Sequence, residues 1–146
     1  MSSFQPSGLS QRRSDPESFR ARGLSVALTV NDLDASIDWY CHAIGFVVDK
    51  TYERRDGSVG SIALKAGNVR VLLNQDDGAK GTDRVKGVGI SLYLTTAQNV
   101  DAIAERIIAE GSTLETPLSD MPDGRRFFRV RDPDGFVLVI STEATT

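Results

Sequence analysis

An α+β fold made of two β-α-β-β-β modules is what this sequence predicts, and two observations carry the prediction. Strand and helix patterns recur in the same order in both halves of the chain. Matching residues also recur at a nearly constant spacing. Leu28-Thr29 answers to Leu94-Thr95, Leu33-Asp34-Ala35 to Val100-Asp101-Ala102, Gly45 to Gly111 and Gly67 to Gly135, at offsets of 66 to 68 residues. A chance pair of β-α-β segments would mimic one such match; four in register point to a duplicated module.

Residues 1–22 are rich in Ser, Arg, Gln and Pro, with Phe4, Leu9 and Phe19 isolated, and bury too little apolar surface to offset their ordering entropy. They are expected to form a flexible arm, with Phe19 free to dock on the domain or on a partner subunit. The first module spans 23–75. Its first strand, 24–30, is β-rich and ends at Asn31-Asp32, a turn or helix-cap signal. Leu33, Ile37, Tyr40 and Ile44 follow helical spacing up to Gly45, a residue that accepts the left-handed conformation ending a helix. Strands near 46–54, 59–65 and 69–75 follow, separated by the turn formers Arg55-Asp56-Gly57-Ser58 and Ala66-Gly67-Asn68.

Residues 76–87, with six charges and three glycines but no apolar period, read as a linker. The second module, 88–142, restarts with a strand at 88–95 and a helix carrying Val100, Ile103, Ile107 and Ile108 up to Gly111. Strands near 113–118, 125–131 and 136–142 complete it, and 143–146 form a tail. Asp132-Pro133-Asp134-Gly135 is the turn between the last two strands: proline fixes φ and glycine supplies a positive φ.

Composition narrows the function classes. Of 146 residues, 40% are hydrophobic and 25% charged, ordinary values for a globular protein. A net charge of −3 gives no reason to expect nucleic-acid binding. Apolar runs are of strand length, so no membrane span or secretory leader is expected. The single cysteine, Cys41, excludes an internal disulfide and a multi-cysteine zinc site, and a cytoplasmic location is the expectation.

The segment from Asn31 through Leu33-Asp34-Ala35-Ser36-Ile37-Asp38-Trp39-Tyr40 to Ile44-Gly45-Phe46 resembles the first helix of the vicinal-oxygen-chelate superfamily. That group includes glyoxalase I, extradiol dioxygenases and bleomycin-resistance proteins. The run from Gly124 to Phe136, containing Asp132-Pro133-Asp134-Gly135, resembles its last hairpin, and the similarity covers about residues 24–142. The resemblance implies two paired modules whose curved mixed sheets surround a cavity, helices outside. It specifies fold more strongly than chemistry.

Metal-dependent members place a ligand in the first and last strand of each module, usually His or Gln and then Glu. Carried onto this chain, the resemblance puts these positions at Ser25, Val71, Ser91 and Val139, the last-strand pair by counting four residues from Gly67 and Gly135. Valine has no lone pair to give, and a neutral hydroxyl is a poor ligand for zinc, iron or nickel. Shifting the register by one residue brings in no better donor. The only histidine, His42, falls on the first helix facing solvent. No metal and no other cofactor are therefore expected. Nucleophile triads lack a base, and Cys41 lies on a helix.

What remains is a small-molecule cavity. Strand alternation sets Ala27 and Thr29 with Ser25, Leu73 with Val71, Tyr93 and Thr95 with Ser91, and Ser141 with Val139. Ser25, Ala27, Val71, Leu73, Ser91, Tyr93 and Val139 are the expected ligand-binding residues. Tyr93 either stacks on a flat ligand or fills the core; Arg126 and Arg129 either anchor an anion or are exposed strand charge. With few charges expected on this face, the ligand is expected to be partly apolar and neutral or weakly polar.

The metal-free members that the chain resembles are bleomycin-resistance-type homodimers that sequester a small molecule, and the same is expected here. The alternatives are a metal-independent isomerase or lyase using Tyr93, Asp49 or Glu53 as acid or base, and a structural or regulatory dimer with a closed cavity.

Overall fold

The computed structural model describes residues 17–144; the rest of the arm and of the tail lie outside the described residues. The elements are β1 (Ser25–Val30), α1 (Leu33–Asp38), a π-helical segment (Trp39–Ile44), β2 (Val47–Glu53), β3 (Val59–Ala66) and β4 (Val69–Gln75). After the linker come β5 (Ser91–Thr96), α2 (Val100–Ala109), β6 (Leu114–Asp120), β7 (Arg126–Arg131) and β8 (Val137–Thr142). The two expected modules are present. β5 starts later than expected, because Val88 and Gly89 form a turn ahead of it.

Each module folds its strands into one sheet, in the order β1-β4-β3-β2 and β5-β8-β7-β6. β1 runs parallel to β4 and β5 parallel to β8, while the other neighbours are antiparallel. Asp32 caps α1 by accepting from the Ala35 amide, and Asn99 caps α2 by accepting from Ala102. The first helix widens midway. The amides of Gly45 and Phe46 both donate to the Tyr40 carbonyl, and Gly45 ends the segment at φ +108°.

One face of each sheet is packed. Leu28 and Val30 of β1, Ile62 and Leu64 of β3, and Val71 and Leu73 of β4 join Leu33, Tyr40 and Phe46 in the core. Phe128, Val130, Leu138 and Ile140 join Val100, Ala104 and Ile107 in the same continuous cluster, so both modules share one core.

The modules meet through their helices and turns. The Trp39 indole N–H donates to Ser112 Oγ (2.8 Å), and the Arg106 guanidinium donates to the carbonyls of Ala43 and Ile44. At the centre of this contact, the Tyr40 hydroxyl donates to Asp132 Oδ2 at 2.7 Å. Asp132 Oδ1 accepts from the amides of Asp134 and Phe136, both at 2.9 Å, and Asp134 Oδ1 accepts from the Asn31 amide. The β7–β8 turn is thus a clamp on the first module.

Asp132 is only 5% exposed, and burial pushes its carboxyl above the ordinary range despite the donors that favour the charge. Burial, reinforced by Asp132, also drives the Tyr40 phenol far up, so it stays a donor. A raised carboxyl pKa means the folded state binds its proton first as pH falls. The burial penalty on Asp132 is therefore fully present at neutral pH and relieved between its raised folded value and the ordinary carboxylate value. Asp132→Asn, which cannot titrate, is expected to lose this term. Urea unfolding at pH 7 and pH 4 should show wild type gaining stability relative to the variant on acidification. A pH-independent difference between them would contradict the assignment.

The linker is held as well. The Asp76 carboxylate bonds Lys86 Nζ (2.6 Å) and Arg84 Nη2 (2.9 Å), and these contacts, Lys86 foremost, hold its pKa well below the usual range.

Candidate functional site

The opposite face of each sheet carries no helix. Cross-strand register defines it: Ser25, Ala27 and Thr29 lie beside Arg70, Leu72 and Asn74 of β4, which lie beside Lys65, Ala63 and Ser61 of β3. In the second sheet, Ser91, Tyr93 and Thr95 lie beside Val137, Val139 and Ser141 of β8, which lie beside Arg131, Arg129 and Phe127 of β7. Ser25, Ala27, Ser91 and Thr95 are exposed, and Tyr93 is 70% exposed, so Tyr93 is not core.

By register, five of the seven expected site residues, Ser25, Ala27, Ser91, Tyr93 and Val139, lie on the open faces; the first four are exposed, whereas Val139 is only 3% exposed beneath its neighbours. Val71 and Leu73 do not: both are buried on the helix side, and Leu72 takes the position equivalent to Val139. Distance from the turn glycine does not set the face, because the hairpins differ. Gly67-Asn68 is a two-residue turn between paired Ala66 and Val69, whereas Arg131 and Val137 flank a five-residue loop. The glycines are thus out of phase with the pleat, and a one-residue slip reverses the face. The alternation Arg70-Val71-Leu72-Leu73-Asn74, polar at both ends of one face, held the correct register.

With this correction the four positions equivalent to the chelating set are Ser25, Leu72, Ser91 and Val139. Two neutral hydroxyls and two aliphatic side chains do not fit a transition metal. Among the described residues, no group of three His, Cys, Asp or Glu could hold one. His42 is exposed on the π-helical segment. Burial raises the Cys41 thiol, the opposite of what an active nucleophile needs.

The expectation of few charges on this face is corrected by the structure. At a bulge in β2, Asp49 is paired with Arg70 and Lys65. At the equivalent bulge in β6, Glu115 accepts from Arg129 Nε and Arg131 Nε, both at 2.6 Å. Arg131 foremost, with Arg129, holds the Glu115 carboxyl below its ordinary range. The sequence signal was present as Lys65, Arg70, Arg129 and Arg131, but bulge positions escape strict alternation. Arg126 is not on this face: it pairs with Asp101 of α2 and Asp120. Glu53 lines a shallow recess beside Tyr52, Ser61 and Asn74.

A separate cleft of about 570 Å³ runs between the modules on the helix side, walled by Ile44, Phe46, Val69, Leu94, Ile103 and Ile140. None of the expected site residues lines it.

Two open-faced sheets built from a repeated β-α-β-β-β unit, meeting through their helices, define the class of protein. The chain belongs to the Glyoxalase/Bleomycin resistance protein/Dioxygenase superfamily, whose family model matches residues 24–140. An uncharacterized protein of Mycobacterium bovis is 32% identical over 118 residues, 77% of each chain. Many solved structures share the fold. TioX from Micromonospora sp. ML1 matches at TM-score 0.65 and 23% identity, covering 84% of this chain and 97% of its own. A superfamily member from Sphaerobacter thermophilus matches at TM-score 0.67 and 21% identity, covering 85% and 98%. No helix among the described residues is long and apolar enough to cross a membrane.

Proposed function

We propose that this protein is a metal-independent, non-catalytic capture protein for a small organic molecule. The ligand is held between the open face of the first module of one chain and that of the second module of another. The observation that carries this reading is the bare pair of sheet faces, with Tyr93 70% exposed above the buried Val137 and Val139. Within one chain no strand of one sheet pairs with a strand of the other among the described residues, leaving β1 and β5 as sheet edges. Leu24, Val88 and Ile90 are exposed beside those edges, which favours their coverage by a second copy. A cavity closed this way gains affinity from buried apolar area, with hydroxyls fixing orientation.

Sedimentation at micromolar concentration is expected to show a homodimer, and a monomer would count against the reading. Thermal shift against aromatic metabolites and antibiotics, with chromatography of the recovered ligand, tests capture. A true ligand at a hundredfold excess over its Kd should raise Tm by on the order of 5–10 °C and be recovered unchanged. Ser91→Trp and Ala27→Trp, both at exposed positions, should each abolish the shift without unfolding the protein. Co-expressing the two variants tests the shared cavity. A heterodimer should regain one site, from the two unblocked faces, whereas sites confined to single chains would not be restored. Conversion of the ligand would instead favour a metal-independent isomerase or lyase.

A further inference from the structure

Resting on that reading, we propose that the ligand carries an oxyanion, a carboxylate or phosphate ester on an apolar body. Its charged end is bound by the terminal amines of Arg129. Arg129 lies in one cross-strand row with Val139 and the exposed Tyr93. Its Nε donates to Glu115 Oε2, which fixes the guanidinium plane. Among the described residues its Nη1 and Nη2 have no hydrogen-bond partner, so a two-pronged donor is left one strand from the aliphatic Val139 and two strands from the Tyr93 ring. That is the geometry for bidentate oxyanion recognition, with the apolar body on Tyr93.

The surrounding charge favours the same ligand. Glu115 is shared by Arg129 and Arg131, and Asp49 by Lys65 and Arg70, leaving two cations for each carboxylate on both faces. Lys50 and Glu53 of β2, opposite Ala63 and Val59, add one charge of each sign and leave that surplus unchanged. The chain as a whole has a net charge of −3, so the positive surplus is local to the open faces. The arrangement also arises separately in each module: Arg70 reaches Asp49 from β4, whereas Arg129 reaches Glu115 from β7.

The test uses three probes with one ring system: 1-naphthaleneacetate, its neutral amide and 1-naphthyl phosphate. Their Kd values would be measured by calorimetry on the full-length wild type, Arg129→Gln, Arg129→Lys and Ser91→Trp. At least one anion is expected to bind wild type tenfold or more tighter than the amide, and which anion wins separates carboxylate from phosphate. Arg129→Gln should bring the anion-to-amide ratio close to one. Arg129→Lys should restore it only in part, because lysine lacks the planar fork. Urea midpoints would confirm that the variants fold. Equal binding of amide and anions by wild type, or an unchanged ratio in Arg129→Gln, overturns the anion assignment while leaving capture standing. Binding that survives Ser91→Trp, or no binding by any probe up to millimolar concentration, overturns both.

Discussion

Replacing Asp132 with alanine is expected to lower the unfolding free energy by roughly 3–5 kcal/mol, because three donors lose their acceptor at once. The Tyr40 hydroxyl and the amides of Asp134 and Phe136 all converge on this carboxylate. An unsatisfied buried donor costs about 1–3 kcal/mol, and relief of the carboxylate's own burial returns only part of the sum. Tyr40→Phe removes one hydrogen bond to a charged acceptor and should cost about 1.5–3 kcal/mol. The double variant should lose less than the sum of the two singles, since both act on one contact. Urea denaturation of the four proteins measures this directly. A loss below about 1 kcal/mol for Asp132→Ala would show that solvent fills the clamp and that the modules do not depend on it.

The second large effect is expected at Gly87. This glycine has φ +79°, and a β-carbon built there would lie 2.4 Å from the Gly135 carbonyl oxygen and 2.7 Å from its carbon. Both obstacles are backbone, in the turn that follows Asp132, so neither can swing aside like a flexible side chain. Alanine would meet this clash as well as the cost of a left-handed backbone, together roughly 2–4 kcal/mol. The nearby Gly89 has φ +76° with open space around it. Gly89→Ala should therefore cost only about 1–2 kcal/mol, the conformational part alone. Comparing the two by thermal unfolding separates contact from backbone preference, and equal losses would mean that the linker does not press on the turn.

Much of this protein was legible in its residues. The repeat of Leu33-Asp34-Ala35 as Val100-Asp101-Ala102, and of Gly45 as Gly111, marked two modules because helix caps and stops are local chemistry. The alternation of strand residues put Ala27 on the face of Ser25 and Tyr93 on the face of Ser91, since the pleat has a fixed period of two.

Other features were decided only in three dimensions. Val71 and Leu73 went to the packed side because the parallel pairing of β1 with β4, not the distance from Gly67, sets which residues share a row. Asp49 and Glu115 reached the open faces through β-bulges, which break the period on which reading a sequence relies. Asp132 reads locally as a turn residue; that it also clamps Tyr40, 92 positions away, follows from how the modules dock. Local preference determines elements and faces because its causes lie within a few residues. Register between strands and contact between modules depend on packing energies summed over the whole core, and those exist only once the chain has folded.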